Sequence, residues 1–197
     1  MSWLERAEAD QVEADLVLIC RWIALNSLYG AWDPADGRAV GHQDSLRVFL
    51  ERLLKIDQGS RLKGVMVEHK RLVLALLEDK FLNDYFWEGP EQSDGRLTRD
   101  RHRAQGWYVE QRWLVILEAV LERIYLLRCQ LVHGAATFGG KLNRTAVGRS
   151  ATMLGHLVPA ALEVVISCGA DQNWGIMCYP PLHSAPGSVP LRPIRPR

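Results

Sequence analysis

The fold class of this 197-residue chain is decided by one stretch, Trp113-Leu-Val-Ile-Leu-Glu-Ala-Val-Leu-Glu-Arg-Ile-Tyr-Leu-Leu-Arg-Cys-Gln-Leu-Val-His133-Gly134. Its apolar residues recur every three or four positions without an interrupting Gly or Pro, which predicts a long helix over residues 107–133. Gly134 follows directly as a helix stop signal. The residues that keep the period are Trp113, Ile116, Leu117, Val120, Leu121, Ile124 and Leu127.

Four other stretches show helical spacing, over residues 3–31, 43–57, 61–87 and 145–168. Gly64 weakens the start of the third stretch, which is therefore one helix or two pieces. Pro159 should kink or divide the last one. No strand pattern and no internal repeat stand beside these helices. The sequence therefore predicts an all-α protein, a bundle of about five helices.

Two segments lack this period. Residues 88–105 are polar and charged and are predicted to form a long loop, which is typical of a mobile or functional segment. From residue 171 the chain becomes Pro-rich and ends in a basic tip, which predicts an extended or disordered tail. We therefore expect a helical domain over residues 1–170 and a tail over residues 171–197, which either docks a partner or has no role.

Composition limits the function classes. The net charge of +1 means that any anion-binding surface must be a local patch. The four cysteines have no zinc-ligand spacing, and no metal or other cofactor is predicted. No signal-peptide pattern opens the chain, and no apolar run reaches the ~18–20 residues that span a bilayer. We expect a cytoplasmic protein without a membrane partner.

Arg128 and His133 stand five positions apart at the end of the predicted long helix. RNA carries its own nucleophile, the 2′-OH, so cleavage requires proton transfer and stabilisation of charge on the phosphorane. An imidazole titrates near neutral pH and can transfer the protons, whereas a guanidinium forks onto phosphate oxygens. Spacing alone favours the other interpretation, a solvated arginine and a histidine that caps a helix.

The surroundings of this pair resemble a known family. Tyr125-Leu-Leu-Arg-Cys-Gln-Leu-Val-His-Gly134 resembles the C-terminal motif of HEPN domains, an Arg-x4–6-His on a long helix. The earlier segment Arg21-Trp-Ile-Ala-Leu-Asn26-Ser-Leu-Tyr-Gly30 is similar to the first-helix signature of the Apea-like HEPN branch. The resemblance covers about residues 1–170.

The resemblance implies a helical bundle that forms a homodimer. In active members of the family, two motif helices face each other and their Arg and His residues form one cleft. Such members are metal-independent endoribonucleases, hydrolases of toxin–antitoxin, abortive-infection and other antiviral defence systems. By this resemblance, Arg128 and His133 are the catalytic residues, and an antitoxin or another defence-system protein is the class of partner.

This chain departs from the family pattern at two positions. Cys129 follows the motif arginine where the family often has Asn or another polar residue, so the cleft has one polar group fewer. Branches that an adenylating antitoxin silences carry Tyr two residues after the histidine, and Ala135 stands there. The pattern therefore argues against a partner that acts by adenylation.

Three residues are candidates for a supporting role: Asn26, Glu122 and Tyr125. Asn26 is either a buried polar residue of the core or a group that orients Arg128 or His133, as polar residues of the first helix do in this family. Glu122 is either solvated or restrains a motif arginine of the partner chain. Tyr29 is interpreted as core packing.

The segment predicted as a loop carries a run of four arginines, Arg96, Arg99, Arg101 and Arg103. Such a run is commonly a solvated surface. If the protein cleaves RNA, these residues are the predicted contacts to the RNA backbone.

Three hypotheses for function are consistent with the sequence. The first is an endoribonuclease that acts as a homodimer on single-stranded or tRNA-like RNA. The second is a non-catalytic HEPN-like dimer that binds nucleotide, RNA or a partner protein. The third is a helical protein without a link to nucleic acid, which the near-neutral charge allows.

Overall fold

The structure is a computed structural model that describes residues 2–9, 12–89, 93–141 and 143–178. Within these ranges the protein is all-α, as the sequence predicts, apart from one hairpin. The helices are α1 (Trp3–Glu8), α2 (Ala14–Tyr29), α3 (His42–Ile56), α4 (Arg61–Glu68), α5 (Lys70–Leu77), α6 (Asp84–Glu88), α7 (Ser93–Val109), α8 (Trp113–Val132) and α9 (Arg144–Cys168).

Two shorter elements join these helices. The strands β1 (Trp32–Asp33) and β2 (Arg38–Ala39) pair antiparallel, with Trp32 opposite Ala39. A single 3-10 turn over Lys80–Leu82 links α5 to α6. Asp79 caps this turn because its carboxylate accepts a hydrogen bond from the Phe81 N–H at 3.2 Å.

The core is organised around α8, which contacts α2, α3, α4, α5, α7 and α9. Its apolar stripe is buried as the spacing predicts, and the buried members are Ile116, Leu117, Val120, Leu121, Ile124 and Leu127. Burial of one such side chain stabilises a fold by about 1.5–3 kcal/mol. Burial of the stripe thus supplies a large part of the free energy that holds the other helices around α8.

The long helices α2 and α9 pack against each other. Near their N-termini, Asp15 and Arg144 form a two-pronged ion pair in which the Asp15 carboxylate is almost fully buried. The hydrogen bonds from Arg144 lower the pKa of Asp15 below its ordinary value. The pair therefore fixes the register of α9 along α2.

The chain has more and shorter helices than the sequence predicts. The helix predicted over residues 3–31 is two helices, α1 and α2, because Ala9 is already in an extended conformation. The stretch 61–87 forms α4, α5, the 3-10 turn and α6, with the first break at His69. The prediction of about five helices is therefore wrong: nine α-helices lie in the ranges given above. Apolar spacing continues across these breaks because the short helices all face one core.

The prediction of a loop over residues 88–105 is also wrong, because α7 covers most of this segment. The helix is anchored by Ala104 and Tyr108, which are buried, and the Tyr108 hydroxyl donates to the Met66 carbonyl at 2.9 Å. Trp107, which is partly exposed, also packs against the core. Residues 107–109, predicted to begin the long helix, end α7 instead, and Gln111 with φ of 55° makes the turn into α8.

Residues after α9 return to the helical body. Trp174 is buried, contacts Phe49 and donates from Nε1 to the Gly169 carbonyl at 2.8 Å. A Cβ on Gly169 would lie 2.7 Å from the Trp174 ring, so the close return requires glycine. Residues 171–178, the first part of the predicted tail, thus lie against the bundle, and residues 179–197 are outside the described ranges.

By length and composition, α9 could cross a membrane, since an 18-residue window has a mean hydropathy of 1.6 and 44% of it is buried within the protein. Its buried residues, Val147, Leu154, Leu157, Val158 and Val164 among them, belong to the same core as α8. Pro159 does not divide the helix, which runs without a break over Arg144–Cys168, and a kink at this position stays a prediction.

We expect Asp15→Ala to lower the free energy of unfolding by about 3 kcal/mol, because it leaves the Arg144 guanidinium beside the core without its partner. Urea denaturation measures this change. Asp36→Ala is the matched control, since it breaks the exposed pair with Arg38 and should change stability far less. Equal effects of the two substitutions would contradict a structural role for the Asp15–Arg144 pair.

Candidate functional site

The two predicted catalytic residues occupy the C-terminal part of α8 in different environments. Arg128 is half-buried, and its Nη1 lies 3.8 Å from Cys129 Sγ. His133 is exposed at the C-cap of α8, where Gly134 with φ of 74° ends the helix as predicted. Five helical residues rise ~7.5 Å and turn ~140°, so the two side chains leave α8 on different sides. No hydrogen bond or ion pair joins them within the described part of one chain.

The side of α8 that carries Arg128 is packed with rings from three helices. The Tyr125 ring stacks on the ring of His42 in α3, with centroids 3.9 Å apart and planes 15° apart. The His42 Nδ1 and the Tyr29 hydroxyl of α2 form a hydrogen bond of 2.9 Å. Trp22 contacts both His42 and Tyr125 at tilted angles. We call these four side chains, Trp22, Tyr29, His42 and Tyr125, the ring cluster.

Burial, and then the positive charge of Arg128, lower the pKa of His42 to about 4. His42 is therefore neutral at neutral pH. Burial raises the pKa of Tyr29, and a hydrogen bond with Cys129 is the main cause that raises the pKa of Tyr125. The titratable members of the ring cluster, His42, Tyr29 and Tyr125, are thus uncharged at neutral pH. The positive charge beside the cluster comes from the Arg128 guanidinium.

Sequence reasoning missed His42. The only signal was its position four residues before Leu46, which extends the apolar stripe of α3 by one turn. No sequence pattern identifies such a histidine as part of a site, because its partners Tyr29 and Tyr125 come from other helices. Tyr29 is buried, as its interpretation as a core residue predicts.

Glu122 lies on the exposed side of α8 and accepts a hydrogen bond from Gln43 Nε2 at 3.1 Å. It lines a shallow groove of about 300 Å³ together with His42, Tyr125 and Glu118. Burial raises the pKa of Glu118, which lies 3.7 Å from Arg47. Contact of Glu122 with an arginine of a second chain stays a prediction.

Asn26 is exposed near the end of α2, so the alternative that places it in the core is wrong. Its carbonyl accepts from the Gly30 N–H at 2.7 Å, which ends the helix. Its side-chain Nδ2 would lie 3.5 Å from a Cβ on Gly30. An orienting role toward Arg128 or His133 stays a prediction.

Gln130, which lies between the two motif residues, is a second residue that sequence reasoning missed. It is buried, and its Nε2 donates to the Phe81 carbonyl at 2.9 Å. Its Oε1 accepts from Asn143 Nδ2 at 3.0 Å, and its backbone carbonyl accepts from the Ala136 N–H. Gln130 thus ties the end of α8 to the segment that follows His133.

The four arginines predicted to contact RNA lie on α7 and do not act as one set. Arg96, Arg99 and Arg103 have i, i+3, i+7 spacing and line one groove. Arg101 points elsewhere and lies 3.3 Å from Glu78. Sequence reasoning placed the run on a loop, where this division could not be recognised.

Two other histidines, which are far apart in the sequence, meet in the structure. The rings of His69 and His156 stack with centroids 3.7 Å apart. Burial, and then the neighbouring His69, lower the pKa of His156. His102 is exposed on α7, and His183 lies outside the described ranges.

Comparisons with protein families, curated proteins and solved structures find no match to this chain.

We expect Gln130→Ala to lower the free energy of unfolding by about 1–3 kcal/mol, because it leaves the buried Asn143 amide without this acceptor. Gln105→Ala, at an exposed position of α7, is the control and should have little effect. Thermal and urea denaturation measure the difference. A variant as stable as the control would show that Gln130 does not hold the segment after His133.

The low pKa of His42 predicts a stability that depends on pH. Between its ordinary value of 6.5 and about 4, the unfolded chain binds a proton that folded His42 does not, so stability should fall as the pH is lowered through this window. In His42→Gln, the free energy of unfolding should change less with pH than in the wild type. Some dependence should remain, because the pKa of His156 is lowered in both proteins. The measurement is urea denaturation at a series of pH values. His102→Gln is the control, and an unchanged slope in His42→Gln would contradict the burial of His42.

Proposed function

We propose that this protein is a metal-independent endoribonuclease of the HEPN type, in which Arg128 and His133 are the catalytic residues of a homodimer. One observation carries the proposal. The long buried helix α8 ends in an exposed imidazole and holds a guanidinium about one and a half turns earlier, on the side of the ring cluster. The all-α fold and the resemblance of the Arg128–His133 segment support it.

The chemistry requires only groups on RNA and on these two residues. The 2′-oxygen attacks the adjacent phosphorus, the bond from phosphorus to the 5′-oxygen breaks, and a proton passes from the 2′-OH to the leaving oxygen by way of imidazole. His133 at the solvent-exposed end of α8 can reach a phosphodiester to transfer that proton. Arg128 would stabilise the charge on the phosphorane oxygens.

A second chain is part of the proposal because the two side chains diverge on one chain. When two α8 ends face each other, Arg128 of one chain can approach the exposed His133 of its partner. Val132 and Phe138, which flank His133, are 53% and 60% exposed and offer apolar surface for such a contact. In this arrangement Glu122 and Asn26 would act as supporting residues, and Tyr125 would hold Arg128 in place.

The biological setting follows from the same resemblance. We infer a role in a toxin–antitoxin or phage-defence system in the cytoplasm, with an antitoxin or another defence protein as partner. Single-stranded or tRNA-like RNA is the proposed substrate class, because an exposed imidazole at a helix end is accessible to an unpaired strand.

A non-catalytic dimer that binds nucleotide, RNA or a protein is the second candidate. The observation that favours it is the environment of Arg128, which has a thiol rather than a polar partner beside it. A weakly oriented guanidinium can bind a phosphate without stabilising a transition state.

We expect Arg128→Ala and His133→Ala each to reduce cleavage of purified RNA at least about 100-fold, because each removes one of the two chemical roles. Gel analysis of labelled RNA with the purified wild type measures this, and sedimentation should show a dimer for all proteins.

Arg38→Ala is the matched control, since Arg38 is exposed and far from the proposed chemistry in sequence. It should cleave like the wild type. Full activity in either motif variant would contradict the proposed catalytic pair. A pure wild-type dimer that leaves every RNA intact would favour the non-catalytic candidate.

A further inference from the structure

A second cationic site lies on the other side of α8 from the ring cluster. Three arginines of α7, Arg96, Arg99 and Arg103, line a groove of about 390 Å³, and Arg123 of α8 and Tyr85 of α6 complete its walls. Asp84 and Asp100 also line it. The groove therefore lies where three helices meet.

One of the two carboxylates of the groove, that of Asp100, is bonded to other residues of the groove. Asp100 accepts a hydrogen bond from the Tyr85 hydroxyl at 2.9 Å and lies 3.6 Å from Arg123 Nη2. The Arg123 Nε is buried and has no hydrogen-bond partner in the described part of the chain. The Arg123 side chain as a whole keeps 21% of its surface exposed and lines the groove.

The three arginines of α7 that line the groove are not neutralised by a described carboxylate. The Arg96 guanidinium lies 5.4 Å from the centre of the Tyr85 ring, and Arg99 donates from Nε to the Gly95 carbonyl. Neither of them, nor Arg103, forms an ion pair with any carboxylate that the structure describes. Since the chain as a whole has a net charge of only +1, this groove is a local concentration of positive charge.

The groove and the proposed catalytic end share one rigid element. Arg123 precedes His133 by ten residues, which is about 15 Å along α8 and about 80° around it. A single strand of a few nucleotides can cover that distance. A guanidinium group binds phosphate oxygens through two hydrogen bonds. The i, i+3, i+7 spacing of Arg96, Arg99 and Arg103 places three such groups in a row along α7.

We propose that this groove binds the phosphodiester backbone of single-stranded RNA, through Arg96, Arg99, Arg103 and Arg123, and directs the strand toward His133. The choice of RNA rests on the proposed function. Arg101 is not part of the site, because it lies about 200° around α7 from Arg99 and pairs with Glu78.

The test uses a labelled, unstructured RNA oligonucleotide with 2′-O-methyl groups, which lacks the nucleophile and cannot be cleaved. Binding by the full-length protein is measured by fluorescence anisotropy over a range of salt concentrations. The variants are Arg99→Ala/Arg103→Ala and, as the matched control, Arg101→Ala. All three side chains are exposed, and circular dichroism checks that the variants fold.

The double variant should bind at least about tenfold more weakly at low salt, and Arg101→Ala within about twofold of the wild type. The slope of log Kd against log salt should decrease by about 1.4, or ~0.7 for each phosphate of the single strand that an arginine no longer neutralises. Cleavage is then measured separately on the unmodified RNA. Binding that depends on the groove supports the inference even if that RNA stays intact, in which case only the proposed cleavage fails.

Two outcomes would overturn the inference. One is equal weakening in Arg101→Ala and in the double variant, which would mean that general positive charge, not the groove, attracts RNA. The other is a wild-type protein that does not bind the oligonucleotide at low salt.

Discussion

The burial of one face of α8 is the constraint on which the rest of the structure depends. Six other helices contact this helix, and its apolar stripe from Ile116 to Leu127 lies inside the core. Because the stripe must face inward, the rotation of α8 about its axis is determined, and with it the direction of every polar residue on the helix. The burial of the stripe therefore determines the direction in which Arg123, Arg128 and His133 project from α8.

This constraint separates the two proposed tasks of the protein. Arg123 faces α7 and the cationic groove, whereas Arg128 faces the ring cluster between α2 and α3. His133 comes after the last buried turn, so it is exposed while Gln130 behind it is buried and bonded to Phe81 and Asn143. The proposed binding and the proposed chemistry would thus lie along one helix, whose end is bonded to neighbouring segments through Gln130.

Sequence reasoning succeeded where a pattern was local and failed where a partner was remote. The helix stop at Gly134 and the buried stripe of α8 were predicted, because periodicity and a positive φ are local properties. The helix α7 was missed, because few of its described side chains reach the core: Ala104 and Tyr108 are buried, and Trp107 packs against the core while partly exposed. The stack of His69 on His156 was missed, because these residues are far apart in the chain and meet only when α9 packs on α4.

By itself, the sequence determined that the protein is helical, which face of α8 is buried, and that an arginine and a histidine stand near its end. Each of these follows from spacing within a few turns of one helix. Only the tertiary structure decided that His42 and Tyr125 pack beside Arg128, and that three of four arginines on α7 share a groove with Arg123. The physical reason is that such neighbourhoods are set by how separate helices pack, and packing depends on the shape of the whole core.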